Sequence, residues 1–306
     1  MHERLRGLFI PLATPFDART GDIAVLDFRS NIRKWLDTPI NGYVLFGSNG
    51  EGVLLSDDEK TKLTAFAREI IPPSYPLVVG ISAESTRAVV AECKRLADQG
   101  AEYALVSPPA YFGSKLGAGA IADHYKHAAD ESPIPLIVYH IPQNTHVVID
   151  PPLMAEIVRH KNIVGLKDSS GDVKRFAEYS NTCDKACRLF IGNGSLLYTA
   201  LELGAVGGIV GIGQFAPEPT AELIEAFVAG DKVKAGKIQE RLVPVHKEIV
   251  GAHGAVGTKA ALDLTGYVGG KPRPPLRPLS EKEQRRVAQV LHEAGLAYAS
   301  TNVPNS

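Results

Sequence analysis

IVGLKDSS, residues 163–170, is an almost continuously apolar run that ends in a lysine, an aspartate and two serines. Such a run, without alternation of apolar and polar residues, is typical of a strand buried on both faces of a parallel sheet. Seven further runs of this kind end in glycine, proline or a small polar residue: LFIPLATP (8–15), YVLFGSNG (43–50), PLVVGISA (76–83), YALVSPPA (103–110), PLIVYHIP (135–142), RLFIGNGS (188–195) and GGIVGIGQ (207–214). Together they predict eight strands.

Signals for helix starts lie between these runs. Ser56 and Glu59 have the spacing of a capping box, and Ser85 and Asp150 stand where N-cap residues are expected. Strands that alternate with helices need crossover connections, and eight such units predict an α/β fold, a (β/α)₈ TIM barrel. The competing fold is a doubly wound open sheet, but no Gly-x-Gly-x-x-Gly fingerprint follows the first strand.

The chain after the eighth strand has a different character. Residues 217–306 predict two helices separated by a turn at Gly230, and a further helix that begins with a capping box at Ser280. We therefore expect residues 1–216 to form the barrel that carries the active site. Residues 217–306 are expected to be a C-terminal helical extension of the same structural unit.

The charge balance indicates the class of partner. The chain has 33 lysines and arginines against 34 aspartates and glutamates, and neither sign forms a long block. Nucleic-acid binding and a polybasic membrane arm are therefore not expected, and no apolar run is long enough to span a bilayer. The first residues lack a secretory apolar stretch. These features predict a cytoplasmic protein whose partner is a small molecule.

The cysteines do not predict a metal centre. Cys183 and Cys187 are four residues apart and could share one helical face, but no histidine or further cysteine nearby completes a zinc ligand set. We therefore predict no metal site.

Barrel enzymes carry their chemistry at the carboxyl ends of the strands, which draws attention to Lys167. Burial disfavours an ammonium group, and a deprotonated lysine is a nucleophile toward ketones. Alternatively, the side chain extends past the strand end to water. If Lys167 points inward, alternation along the strand places Ser169 inward as a candidate substrate-binding residue, and turns Asp168 toward the helices.

The neighbouring strand and two loops provide further candidates. Tyr139 could relay protons near an inward lysine, or it is a core aromatic with a satisfied hydroxyl, while alternation turns His140 away and indicates a structural role. FGSNGEG (46–52) could bind a carboxylate through its backbone N–H groups and the Ser48 hydroxyl, although the same residues are typical of an ordinary turn. Tyr111 is a loop aromatic, or it completes a site in its own or in a neighbouring subunit.

Four motifs in this order resemble those of a known enzyme family. They are GSNGE (47–51), YHIPQNT (139–145), GLKDSSGD (165–172) and GYVGGKPRPPLRPL (266–279). The sequence is similar over nearly its whole length to the pyruvate-dependent class I aldolases typified by dihydrodipicolinate synthase and N-acetylneuraminate lyase. The resemblance implies a (β/α)₈ barrel with a C-terminal helical extension, usually a homotetramer. It also implies a Schiff base between Lys167 and a 2-oxo acid, with no metal or organic cofactor.

The same resemblance implies roles for individual residues. Tyr139 corresponds to the acid/base tyrosine, and Ser48 links it to Tyr111, which reaches across a subunit interface. Ser48 and Asn49 correspond to the loop that holds the substrate carboxylate. Ile209 corresponds to a residue whose backbone contacts the keto acid.

Differences within the family bear on the substrate. Synthases of the lysine pathway carry an arginine in the stretch where this chain has Asn144, which counts against dihydrodipicolinate synthesis. GSNGE, QNT and KDSSGDV most resemble the 4-hydroxy-2-oxoglutarate aldolases, which form pyruvate and glyoxylate. The alternatives are an aldolase or dehydratase acting on 2-keto-3-deoxy sugar acids, and a non-catalytic small-molecule sensor on the same barrel.

Overall fold

Eight parallel strands close into a barrel in a computed structural model that describes residues 2–296. The strands are β1 (Gly7–Pro11), β2 (Gly42–Leu45), β3 (Leu77–Ile81), β4 (Tyr103–Val106), β5 (Leu136–His140), β6 (Ile163–Asp168), β7 (Arg188–Ile191) and β8 (Gly207–Ile209). Each strand pairs with the next in the chain, and β8 pairs with β1. The predicted (β/α)₈ barrel and its eight strands are confirmed.

Helices connect the strands and continue beyond the last one. They are α1 (Val25–Leu36), α2 (Asp57–Ile70), α3 (Thr86–Ala97), α4 (Ala118–Glu131), α5 (Pro142–Thr145), α6 (Pro151–Ile157), α7 (Val173–Thr182), α8 (Leu197–Glu202), α9 (Pro217–Val228), α10 (Lys232–Val245), α11 (Ala252–Leu264) and α12 (Glu281–Glu293). Ser56 caps α2 in a capping box with Glu59, and Ser85 and Asp150 cap α3 and α6. These predicted helix starts are confirmed.

The two faces of the strands separate two apolar clusters, as alternation predicts. Tyr139 belongs to the cluster inside the barrel, whereas Val138 packs outside it against the helices. A register shift opposite β5 makes Val164 an extra residue of β6, and this side chain also joins the inner cluster. Beyond the shift, Tyr139 is paired directly with Lys167.

The chain after β8 packs on the end of the barrel where the carboxyl ends of the strands lie. α9 contacts β1, a π-helical turn (His246–Gly251) joins α10 to α11, and α11 contacts the loop that follows β2. Gly230 adopts a positive φ of 85° in the turn before α10, as predicted. Residues 297–306 of the predicted extension lie outside the described residues, and the division after residue 216 stays a prediction. None of the helices within 2–296 has the length and apolar character needed to cross a membrane.

Candidate active site

Lys167 and Tyr139 meet inside the barrel at the carboxyl ends of β6 and β5. The Lys167 side chain is buried, with 4% of the residue exposed, and its Nζ lies 4.1 Å from the centroid of the Tyr139 ring. The lysine therefore does not extend to water. A buried amine beside a phenol hydroxyl can act as a nucleophile with a proton-transfer group within reach.

The Tyr139 hydroxyl connects Lys167 to two serines. Burial raises the pKa of this hydroxyl, but the positive charge of Lys167 and hydrogen bonding with Ser48, Ser169 and Lys167 lower it by more, so that the pKa lies below the ordinary tyrosine value. A tyrosinate is thus easier to form here than in water. The structure brings together four of the predicted residues, Lys167, Tyr139, Ser48 and Ser169.

Gly192, at the end of β7, was not predicted as a site residue. A Cβ placed on it would overlap Ser169 Oγ and lie 2.9 Å from Lys167 Cε. Because glycine has no side chain, position 192 leaves space for the side chains of Lys167 and Ser169. The sequence does contain a weak signal, since glycine directly follows the apolar residues RLFI (188–191) on the strand next to the lysine strand.

The loop FGSNGEG (46–52) is held in a strained conformation around a short helical turn, Ser48–Gly50. Phe46 and Glu51, neither of them glycine, have positive φ angles of 59° and 54°. Such conformations cost free energy and persist only where surrounding contacts enforce them. A Cβ on Gly52 would overlap the Phe46 carbonyl oxygen, so glycine is required at that position.

Contacts with the C-terminal segment enforce this conformation. Glu51 Oε1 lies 2.5 Å from Lys259 Nζ in an ion pair whose side chains are each 1% exposed, and Glu51 Oε2 accepts the backbone N–H of Arg273 at 2.8 Å. The Arg273 guanidinium in turn binds both carboxylate oxygens of Glu59 on α2. Neither Lys259 nor Arg273 was predicted as part of the site, because their partners lie more than 200 residues away along the chain.

The other predicted site residues, Asn49, Ile209 and Tyr111, have different surroundings. The Asn49 side-chain amide donates to Thr258 Oγ1 at 2.7 Å, so this amide is directed to α11. Ile209 is buried in the inner cluster at the end of β8. Tyr111 is 81% exposed and stacks edge-on against Phe112, outside the cavity beside Tyr139. A single chain therefore does not bring Tyr111 to Tyr139.

A cavity of about 290 Å³ opens beside Tyr139 and Ser48. Its wall contains hydroxyl groups, one amide and carboxylates: Ser48, Glu51, Ser82, Glu84, Ser107, Tyr139, Asn144 and Thr145. No lysine, arginine or histidine is present among the described residues that line it. Glu84, which was not predicted, accepts the backbone N–H of Tyr111 at 2.8 Å and so fixes the loop at the rim.

Two further groups of predicted residues lie outside the cavity. His140 and Asp168 face the helices, and their Nδ1 and Oδ1 atoms are 2.8 Å apart. Cys183 and Cys187 are buried free thiols, and burial raises the pKa of Cys183 to about 11. Among residues 2–296, no group of three or more histidine, cysteine, aspartate or glutamate side chains is arranged to hold a metal ion.

Comparisons with known proteins agree with this geometry. Residues 4–294 match the model of the dihydrodipicolinate synthetase family. A 4-hydroxy-tetrahydrodipicolinate synthase from an Exiguobacterium species is 31% identical over 287 residues, covering 94% of this chain and 97% of the relative. The corresponding synthase of Mesorhizobium japonicum is 32% identical over 293 residues, covering 95% and 99%.

Solved structures show the same fold. The dihydrodipicolinate synthase of Thermotoga maritima superposes with a TM-score of 0.91 at 27% identity, covering 95% of this chain and 99% of that one. A monomeric dihydrodipicolinate synthase variant superposes with a TM-score of 0.90 at 27% identity, covering 96% and 98%. The chain belongs to the dihydrodipicolinate synthetase family and is a carbon–carbon lyase of the aldolase type.

Proposed function

We propose that the protein cleaves 4-hydroxy-2-oxoglutarate to pyruvate and glyoxylate through a Schiff base on Lys167. The observation that carries this proposal is the buried amine of Lys167 beside the Tyr139 ring, at 4.1 Å from its centroid. The substrate assignment rests on Asn144, which lines the cavity at the position where lysine-pathway synthases carry an arginine.

The chain's own groups account for each step of the reaction. The Lys167 amine adds to the C2 carbonyl of the substrate, the Tyr139 hydroxyl gives up its proton, and water leaves, so that a protonated imine and a tyrosinate form. Tyr139, as tyrosinate, takes the proton of the C4 hydroxyl, the C3–C4 bond breaks, and its electron pair moves to the imine to give an enamine and glyoxylate. Tyr139 then returns the proton to C3, and water hydrolyses the protonated imine to release pyruvate and the free lysine, while the proton set free in this step goes back to Tyr139. These steps require no metal or organic cofactor.

The substrate carboxylates need hydrogen-bond donors. Backbone N–H groups of the FGSNGEG loop and the Ser48 hydroxyl suit the C1 carboxylate, because successive N–H groups in a tight turn form an anion site. We assign Asn49 to this site through its backbone, since its side chain is bound by Thr258. The Asn144 amide supplies a neutral donor for the distal carboxylate, Ser169 is assigned to the substrate site beside Tyr139 and Lys167, and Ile209 contacts the keto acid through its backbone.

One observation favours the second candidate substrate class, the 2-keto-3-deoxy sugar acids. The cavity wall carries the Glu84 carboxylate and the hydroxyls of Ser82 and Ser107, which are 3.0 Å apart. Hydroxyl groups donate hydrogen bonds to a neutral polyhydroxy chain and accept them from it, and a carboxylate accepts them, whereas a carboxylate repels a second anion. The two substrate classes therefore differ in the charge that they place near Glu84.

An oligomer would complete the site. Tyr111, Phe112 and Val53 are large apolar side chains at the rim with 81%, 64% and 74% exposure. We propose that this rim pairs with a second copy in a homotetramer, so that Tyr111 reaches the Ser48 and Tyr139 hydroxyls of its neighbour. Sedimentation of the wild type and of Tyr111→Ala, with activity measured for each, tests this assignment.

Pyruvate release from a panel of 2-oxo acids tests the substrate. We expect the highest kcat/KM with 4-hydroxy-2-oxoglutarate, and a higher value with 2-keto-3-deoxy sugar acids would transfer the assignment to that class. Borohydride reduction in the presence of pyruvate should add mass to the peptide containing Lys167, and Lys167→Ala should abolish both the adduct and cleavage. If pyruvate binds without forming an adduct, the Schiff base on Lys167 is refuted and the alternative of a small-molecule sensor on this barrel is favoured.

A further inference from the structure

A hydrogen-bonded pair that the reaction does not use lies behind Tyr139 and Lys167. His140 and Asp168 are the chain neighbours of these residues, face the helices, and are each 0% exposed. His140 Nδ1 is 2.8 Å from Asp168 Oδ1 and 3.3 Å from the Tyr179 hydroxyl on α7. This pair is thus shielded from water on the outer face of the barrel.

The hydrogen bonds fix the position of the imidazole proton. The Tyr179 hydroxyl donates to the carbonyl of Ile149, so it can only accept from His140. The Asp168 carboxylate also accepts, and its two oxygens further bind the backbone N–H and the hydroxyl of Ser170. Nδ1 therefore carries a proton directed at Asp168, and the ring has one defined orientation.

The pair occupies a specific rung of the ladder between β5 and β6. Tyr139 is opposite Lys167, and His140 is opposite Asp168 on the next rung. The ladder continues as Ser169 donates its backbone N–H to the His140 carbonyl at 2.9 Å. Nearer the other end of these strands the register shifts at Ile137, so the backbone pairing is not uniform along the two strands. A side-chain bond at the last rung resists sliding of one strand against the other.

Core packing alone does not explain these residue types. Apolar side chains of similar volume commonly replace buried ion pairs or hydrogen-bonded pairs without loss of stability. In some proteins a buried polar pair fixes one arrangement among several. The arrangement that this pair can fix is the position of Tyr139 along its strand relative to Lys167.

We infer that His140 and Asp168 are positioning residues, which hold Tyr139 at the correct height beside Lys167 through a hydrogen bond across the outer face of the barrel. The inference rests on the proposed Schiff-base reaction, because its readout is proton transfer at Tyr139. Misplacement by about 1 Å costs on the order of 10²-fold in rate.

Replacement of His140 by an apolar and by a polar residue tests the inference. His140→Leu removes the N–H, whereas His140→Asn presents an amide N–H at the equivalent position. We expect kcat to fall about 10- to 100-fold in the leucine variant with KM changed less than about threefold, and the asparagine variant to recover most of kcat. His160→Leu is the matched control, since His160 pairs with Asp130 at 3.0 Å just before β6 begins, at the opposite end of that strand. This control should keep the wild-type kcat.

The outcomes separate the inference from the proposed function. A folded His140→Leu variant with wild-type kcat, or an asparagine variant as slow as the leucine variant, would refute the positioning role. Should His140→Leu fail to fold, Asp168→Ala replaces it, with Asp168→Asn as the variant that retains an acceptor. Loss of the borohydride adduct in the wild type would instead refute the Schiff-base reaction itself.

Discussion

Gly192→Ala adds a single methyl group beside the nucleophile Lys167 and beside Ser169, which hydrogen-bonds to Tyr139. The methyl carbon would overlap Ser169 Oγ, and it would lie 2.9 Å from Lys167 Cε and 3.0 Å from Ser169 Cβ. Gly192 does not have a positive φ, so the backbone itself accepts alanine. The effect of the substitution is therefore steric and local.

The size of the effect follows from these distances. Carbon atoms in contact are separated by about 3.5 to 4.0 Å, so Lys167 Cε must move by roughly 0.6 to 1 Å. Ser169 Oγ must rotate away as well, which removes one hydrogen bond from the Tyr139 hydroxyl. A displacement of about 1 Å at a reacting group corresponds to a loss of about 10²-fold in kcat.

Pyruvate release and borohydride trapping measure the two parts of this effect. We expect kcat to fall about 10²-fold and the rate of adduct formation at Lys167 to fall with it. Gly236→Ala is the matched control, because a Cβ at this position of α10 has no atom within 4 Å. If Gly192→Ala has a wild-type melting temperature and a kcat within about threefold of wild type, glycine at 192 does not set the position of the lysine.

Four other predictions concern proton transfer and charge. Tyr139→Phe should slow cleavage about 10²- to 10⁴-fold while the borohydride adduct still forms. Lys167→Met should raise the pKa of Tyr139, measured by the absorbance of tyrosinate, because the lysine charge lowers this pKa in the wild type. Lys259→Met should reduce the free energy of unfolding by about 3 to 5 kcal/mol, because it leaves the buried Glu51 carboxylate without its cation. Denaturant titration checks this, and the double variant with Glu51→Gln should lose less free energy of unfolding than Lys259→Met alone. Burial lowers the pKa of His246 to about 4, below its unfolded value of about 6.5. The stability that the neutral imidazole contributes is therefore complete above about pH 6.5 and is lost as the pH falls through about 4. Between about pH 7 and pH 4, the free energy of unfolding of the wild type should fall by about 3 kcal/mol more than that of His246→Gln.

The barrel and the direction of the two central side chains could be predicted because both depend on local patterns. Continuous apolar runs separated by capped helices indicate parallel strands, and alternation along a strand decides which side chains point inward. Lys167, Ser169 and Tyr139 could thus be placed from their strands alone. The bulge at Val164 could not, because it depends on how β6 pairs with β5.

The rest of the site depends on contacts between distant parts of the chain. Asn49 lies in a loop that resembles an anion site, but its side chain bonds to Thr258, which is 209 residues away. Glu51 belongs to the same motif, and nothing near it in sequence indicates that its partner is Lys259. Sequence patterns predict which face of a strand a side chain occupies, whereas its hydrogen-bond or ion-pair partner depends on how distant parts of the chain pack together.

The position of these partners gives the C-terminal segment a part in the chemistry. Ser48 can contact Tyr139 only while the loop around it keeps its shape, and that shape includes Glu51 at a positive φ, which is unfavourable for a residue with a side chain. The free energy to hold it comes from Lys259 and from the Arg273 backbone, both located after the barrel strands. Since Pro275 and Leu276 of the same segment also line the cavity, the segment both shapes and encloses the site. A barrel that ended after β8 would retain Lys167 and Tyr139, but it would lack the groups that keep Ser48 beside them.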